Sequence, residues 1–224
     1  VLNYTQRISK QSALILEVKD YYNNLKQDFN VAPSVYKLNS NAADMQSVLW
    51  KKHSWQGTAS IYGLSKTTKY TTFLSVAGSR NNFNSLLETD SANNSISSLA
   101  NNFLYTRKNI SQGATMDSRM GSWKILLSYS LSWLSQDYSN KISNKSIAGK
   151  RLYFEPRVYI RYQLSKVSAL NAGYSSRQPN EVEDHLFENR VLRDFRNTVS
   201  NSVSLDLFRV QSFQLSYSLN DLFN

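Results

Sequence analysis

The sequence predicts an all-β fold: an antiparallel up-and-down transmembrane β-barrel, of which about nine long strands are present. Three observations predict it. First, "WKILLSYSLSW" (123–133) sets Trp123, Ile125, Leu127, Tyr129, Leu131 and Trp133 at every second position. That period gathers them on one face of a strand, whereas a helix scatters them around its circumference. Ten residues at about 3.3 Å each, tilted by about 40°, stand roughly 25 Å high, the height of the apolar band on a membrane barrel. Second, short polar turns alternate with long polar connections. Third, the strand segments run to 11–17 residues, against about five or six in soluble sheets.

The strands are expected near 1–8, 12–29, 51–64, 69–83, 101–116, 122–138, 151–164, 168–177 and 203–219. "VLNYTQRI" alternates from the first residue, while 12–29, 51–64 and 69–83 alternate less cleanly. In 123–133 the positions between the apolar ones are Lys124, Ser128, Ser130 and Ser132, with Leu126 the exception. In "LYFEPRVYIRYQL" the even positions from Leu152 to Leu164 are apolar, and the odd ones are Tyr153, Glu155, Arg157, Tyr159, Arg161 and Gln163. Leu170, Ala172 and Tyr174 oppose Asn171, Gly173 and Ser175; Phe213, Leu215, Tyr217 and Leu219 oppose Gln214, Ser216, Ser218 and Asn220. A soluble sheet of such strands would expose a flat polar face, whereas a barrel turns it to a wet lumen.

The turns form a repeat. "RISKQSAL" (7–14), "GLSKTTKY" (63–70) and "QLSKVSAL" (163–170) share an aliphatic residue, Ser-Lys, one residue, then Ser or Thr, and "MDSRMGSW" (116–123) is a looser copy. With "LNDLFN" (219–224) they centre on Lys10, Lys66, Arg119, Lys166 and Asp221, at intervals of 56, 53, 47 and 55 residues, a hairpin period. Long connections are expected at 30–50, 84–100, 139–150 and roughly 177–202, on the opposite rim, which in outer-membrane barrels faces outside the cell.

Composition narrows the function classes. The 224 residues contain no cysteine, three prolines and seven glycines, which removes disulfides and thiolate metal sites. Mean hydropathy is −0.47, and no apolar run approaches the roughly eighteen residues of a transmembrane helix. Barrel strands hide their hydrophobicity in alternation, so this leaves the barrel open. Val1 leads straight into a strand with no export signal; the chain is therefore expected to be one internal segment, 1–224, of a barrel domain. A net charge of +10 suits anions, lipopolysaccharide phosphates among them. The aromatics of the clearest strands lie opposite the arginines, apart from Tyr153 and Tyr159, an arrangement that suits lipid better than nucleic-acid bases.

The search for chemistry leaves candidates for binding and none for catalysis. His53 and His185 have no metal-ligand spacing, and no phosphate loop, nucleophile elbow or H-E-x-x-H occurs. No cofactor and no metal is expected. A lipid-facing arginine near mid-membrane costs about 2–4 kcal/mol, so Tyr153, Glu155, Arg157, Tyr159 and Arg161 are expected to face the lumen. There they would pair with one another or meet a plug or an anionic ligand. Trp123 and Trp133 are the interface aromatics. Glu181, Glu183 and Asp184, in "EVED" (181–184), are candidate ligand contacts in a loop.

The segment "YFEPRVYIRYQLSKVSALNAGYSSRQPNEVEDHLFENRVLRDFRN" with "QSFQLSYSLNDLFN" resembles the barrel domain of TonB-dependent outer-membrane receptors. It is most similar to the Bacteroidetes group that carries an amino-terminal carboxypeptidase-regulatory-like domain. "EPRV" to "RYQLSK" resembles a strand descending to a periplasmic turn, "LNAGYSSRQPNEVEDHL" the next strand with its loop entry, "RDFRN" (193–197) a loop element and "SLNDLFN" a further turn. About 75 residues carry the resemblance specifically. It implies a 22-stranded barrel, a plug, partners in the TonB complex, outer-membrane lipid and a nutrient ligand, and energy-coupled uptake. Residues 1–224 show neither a plug nor a TonB-contacting segment and do not close on the terminal aromatic of such barrels, so transport is an expectation about a larger parent protein. Two other readings stand beside it: a barrel without transport, serving as adhesin or scaffold, and a soluble all-β surface binding protein.

Overall fold

Alternation over more than a dozen residues leaves the backbone one way to satisfy its polar groups while keeping an apolar face together, which is to pair strands edge to edge. The computed structural model describes residues 1–31, 44–89, 100–178, 186–188, 191–192, 198–199, 203–205 and 208–219. Among the described residues eleven strands run β1 (Leu2–Ser9), β2 (Ser12–Val31), β3 (Asp44–Leu64), β4 (Thr68–Thr89), β5 (Asn101–Met120), β6 (Trp123–Asn140), β7 (Lys145–Gln163), β8 (Ser168–Arg177), β9 (Val191–Leu192), β10 (Thr198–Val199) and β11 (Val210–Leu219). Nine form one antiparallel sheet in the order β1-β2-β3-β4-β5-β6-β7-β8-β11, and β9 with β10 make a separate small hairpin. The fold is thus an up-and-down barrel wall, as the alternation predicts. Among the described residues β1 and β11 are not paired with each other, so each has one open edge.

The register sorts every strand into two faces. The Trp133 row reads Leu2, Val18, Gly57, Val76, Ile110, Trp133 and Leu152 across seven strands. The Trp123 row includes Tyr162, Leu170 and Tyr217. Between these rows no Asp, Glu, Lys or Arg of the described strands stands on that face. Many of its large side chains are exposed, from Leu2 and Val18 through Trp123 and Trp133 to Phe213 and Leu215. Gln112, one row inside the Trp133 edge of the band, donates to the Tyr129 phenol at 3.1 Å. Between the same rows the other face collects serines, asparagines, glutamines and the charges.

The short turns explain the repeated Ser-Lys motif. In the β1–β2 turn the Gln11 amide donates to Ser9 Oγ at 3.1 Å, and Ser9 Oγ lies 2.7 Å from Ser12 Oγ. In the β7–β8 turn the Ser168 amide donates to Ser165 Oγ at 3.1 Å, and the two hydroxyls are 2.7 Å apart. The serines cap the reversal by binding local backbone, and the lysine between them is solvated. In the looser copy Gly121 supplies a φ of 59°, where a side chain would be strained.

The other rim departs from expectation. The connection expected over 139–150 is mostly strand: β6 continues to Asn140, β7 starts at Lys145, and the turn between has Asn144 at φ 55°. Asn140 Oδ1 accepts the Ile142 amide at 2.9 Å and starts that reversal. Similarly β3 begins at Asp44 and β4 runs to Thr89. Past the Trp133 row the uncharged apolar face ends, so serine- and asparagine-rich strand reads as loop in the sequence. The ninth strand of the wall begins at Val210 rather than near 203.

Candidate functional site

The polar face is built from small hydroxyl side chains bounded by larger ones. One row runs Glu17, Thr58, Ser75, Ser111, Ser132, Tyr153 across β2 to β7. Thr58 and Ser75 hydroxyls are 3.0 Å apart, and Gln56 Nε2 donates to both at 3.2 Å. The row beside it holds Phe73, Gly113, Ser130 and Glu155. A β-carbon on Gly113 would sit 2.6 Å from the Phe73 ring and 2.5 Å from the Tyr129 carbonyl oxygen. The missing side chain there lets Phe73 lie flat on the next strand. A groove of about 420 Å³ results, lined by Thr58, Ser75, Asn109, Ser132, Tyr153 and Glu155 among others.

Each β7 candidate stands on this face. Tyr153 pairs with Ser132, Glu155 with Ser130, Arg157 with Ser128 and Ser175, Tyr159 with Leu126 and Gly173, and Arg161 with Lys124 and Asn171. Mutual ion pairing is not what holds them. Glu155 Oε1 accepts the Gln178 amide at 2.7 Å, Tyr159 donates to Asn171 Oδ1 at 3.0 Å, and Arg161 donates to Gln163 Oε1 at 3.3 Å. Arg157 and Arg177 share a second groove of about 350 Å³ with Ser175, Ser212 and Gln214. Trp123 stands on the apolar face with its ring 4.5 Å from Tyr162, and Trp133 stands on the same face between Ile110 and Leu152. Glu181, Glu183, Asp184, His185 and the "RDFRN" element lie outside the described residues. His53 Nε2 is 2.8 Å from Asp20 Oδ1 on the apolar side of the sheet, beyond the Trp133 row. Among the described residues no group of three or more His, Cys, Asp or Glu could hold a metal ion.

Sequence reasoning misses the aromatic cluster on the polar face at the long-connection end. Trp50, Phe83, Phe103 and Asn140 occupy one register row, with Phe83 stacked on Phe103 at 5.2 Å and Trp50 edge-on to Phe83 at 6.0 Å. Part of the β8–β11 connection folds onto them: Phe187 lies 4.9 Å from Phe83 and 5.8 Å from Phe103, and Leu186, Val203 and Leu205 are buried. Polar groups fasten it. Tyr138 donates to the Leu186 carbonyl at 3.3 Å, Asn140 Nδ2 donates to Glu188 Oε2 at 3.1 Å, and Lys145 Nζ lies 3.6 Å from Glu188 Oε1. The available signal was aromatic residues at polar-face parity, in "NNFN" and "NNFLY", together with the Leu-Phe pair inside a polar connection.

No family model matches the chain, and no curated protein matches it in sequence. Solved structures do match. The ferric citrate transporter FecA, in its unliganded form, superposes with a TM-score of 0.59 at 9% identity over 79% of this chain and 26% of its own. The ferric yersiniabactin uptake receptor FyuA from Yersinia pestis gives 0.56 at 11% identity over 98% of this chain and 32% of its own. The chain therefore spans about a quarter to a third of the length of these relatives in structure. What it shares with them is the outer-membrane receptor barrel fold.

Proposed function

We propose that the chain forms part of the outer-membrane barrel wall of a TonB-dependent receptor-like transporter. In this reading the long connections and the polar face recognise a nutrient ligand and the lumen conducts it. The observation that carries the reading is the two-faced sheet: an apolar band free of charge between its aromatic edges, backed by a wall of hydroxyls, amides and arginines. Lipid accounts for the first face and a wet interior for the second. The fold shared with a ferric citrate transporter and a ferric yersiniabactin receptor supports uptake over a scaffold role. Further strands would continue the wall at the open edges of β1 and β11, since closure is what removes edges. The Bacteroidetes-type assignment rests on the quoted resemblance alone.

The test is uptake by whole cells carrying the protein in the outer membrane and lacking their own receptors. Labelled ferric citrate, cobalamin and a malto-oligosaccharide serve as probes, in TonB-positive and TonB-negative strains. Accumulation of one probe that disappears without TonB supports the transporter; outer-membrane residence with no TonB-dependent uptake of any probe assigns the wall to an adhesin or scaffold.

A further inference from the structure

We propose that the polar face of β7, β8 and β11, halfway down the wall, holds a binding station for the oxyanion of a small solute, a carboxylate or a phosphate, gripped by Arg157 and Arg177. This rests on the membrane-barrel reading and adds a site and a ligand class to it.

Three register rows build the station. Arg157 pairs with Ser175 and Ser175 with Ser212; Tyr159, Gly173 and Gln214 form the row on one side, and Arg177 stands on the other. Arg157 lies midway along β7 between Leu152 of the Trp133 row and Tyr162 of the Trp123 row, remote from the aromatic cluster at the long-connection end. Both arginines are exposed, and among the described residues neither makes a hydrogen bond or an ion pair. A carboxylate is nevertheless close by. Glu155, two positions before Arg157, is the only acidic residue at polar-face parity among the described residues of β6, β7, β8 and β11. Its Oε1 accepts the Gln178 amide at 2.7 Å, a charge-assisted bond that outweighs a neutral one. The nearest anion is thus tied to the backbone, and both guanidinium groups are left to the lumen.

The space beside them suits the charge. A groove of about 350 Å³ opens over Gly173, with Tyr159, Ser175, Ser212 and Gln214 around it. A β-carbon at Gly173 would find its nearest neighbour, Tyr159 Cδ2, at 3.7 Å, so nothing crowds the position and the absent side chain serves as floor. The Ser175 and Ser212 hydroxyls are 2.8 Å apart; such a pair shares one hydrogen and keeps the second to donate. Strands about 4.8 Å apart, with a two-residue step along them, set the backbones of Arg157 and Arg177 roughly 8 Å apart. Two long side chains close that span from either side of one anion. Guanidinium forks bind carboxylate and phosphate oxygens in pairs, whereas a neutral sugar would leave both charges unspent. A groove of this size holds a small solute.

The experiment is arginine footprinting of the full-length protein in mild detergent with p-hydroxyphenylglyoxal, read at each arginine by peptide mass spectrometry. Citrate and inorganic phosphate are the probes, maltose is the neutral control, and sodium chloride at matched ionic strength controls for screening. Expected is ready labelling of Arg157 and Arg177 in the free protein and at least a fivefold slowing of both by citrate or phosphate. Labelling of the exposed Arg80 and Arg119 should not change. Whichever probe protects at the lower concentration names the group bound. Equilibrium dialysis of that probe, labelled, then compares wild type with the double variant Arg157→Gln, Arg177→Gln. A second double variant, Lys108→Gln, Lys150→Gln, removes the same charge from the other face, beside Ser135. Binding at least tenfold weaker is expected in the arginine variant alone. Equal protection by maltose or sodium chloride, or equal loss in the two variants, would overturn the proposal. So would slow labelling of Arg157 and Arg177 in the free protein, which means that another segment of the chain already sits on them. Heat-modifiable electrophoretic mobility checks folding separately: absent protection in a folded barrel overturns the station alone, and a wild type that fractionates as a soluble protein overturns the barrel reading.

Discussion

Leu127 and Ser128 are neighbours in β6 with opposite surroundings. Leu127 lies in the apolar band between Met116 and Val158, and Ser128 on the polar face between Thr115 and Arg157. An arginine facing lipid near mid-membrane costs about 2–4 kcal/mol, so Leu127→Arg is expected to block folding into vesicles while Ser128→Arg folds as wild type. Heat-modifiable mobility reads both, and equal tolerance would reverse the face assignment. Glycine positions give a second contrast. A β-carbon at Gly113 would press on the Tyr129 backbone oxygen, which cannot swing aside, whereas one at Gly57 meets nothing within 4 Å. Gly113→Ala is expected to cost about 1–3 kcal/mol, and Gly57→Ala less than about 0.5 kcal/mol, measured by urea unfolding in detergent micelles.

At the scale of elements, the fastening of the β8–β11 connection is the feature to disturb. Phe187 supplies its aromatic contacts with Phe83 and Phe103, and Glu188 its polar ones with Asn140 and Lys145. Truncating a half-buried phenylalanine removes part of the roughly 3–5 kcal/mol that a fully buried one carries. Phe187→Ala is therefore expected to speed amide exchange at Leu186–Glu188 at least tenfold while β5 and β6 stay protected. Glu188→Gln should do less, because Lys145 is half exposed and its pairing is screened. Exchange mass spectrometry separates a local release from a general loosening. If β5 and β6 lose protection together with the connection, the cluster belongs to the wall's own stability.

For the whole molecule, the exposed apolar band and the edges that β1 and β11 leave open among the described residues set the behaviour in water. Exposed strand edges invite pairing with other chains, and an apolar area of this extent is a liability outside lipid. The polypeptide of residues 1–224 is expected to aggregate in buffer and to give a β-sheet circular dichroism spectrum only in micelles or vesicles. A monodisperse protein in buffer alone would favour the soluble all-β reading.

Alternation from Trp123 to Trp133 and from Leu152 to Leu164 was enough to choose strand over helix and to divide each strand into faces, because a period of two is a local property of the backbone. The Ser-Lys repeat likewise placed the short turns, since the serines bind backbone within three residues. Local pattern failed past the apolar band, where serine and asparagine suit strand and loop equally, and β6 and β7 turned out to continue into the expected connection. Pairing decided the rest. Only the register could set Arg157 beside Ser175 and Ser212, replace the expected Glu155–arginine pairing by a backbone amide, and bring Phe187 onto Phe83 and Phe103 from more than 80 residues away. Which side chains share a face is written in the spacing along one strand; which of them touch depends on the alignment of neighbouring strands, and that is fixed by the sheet as a whole.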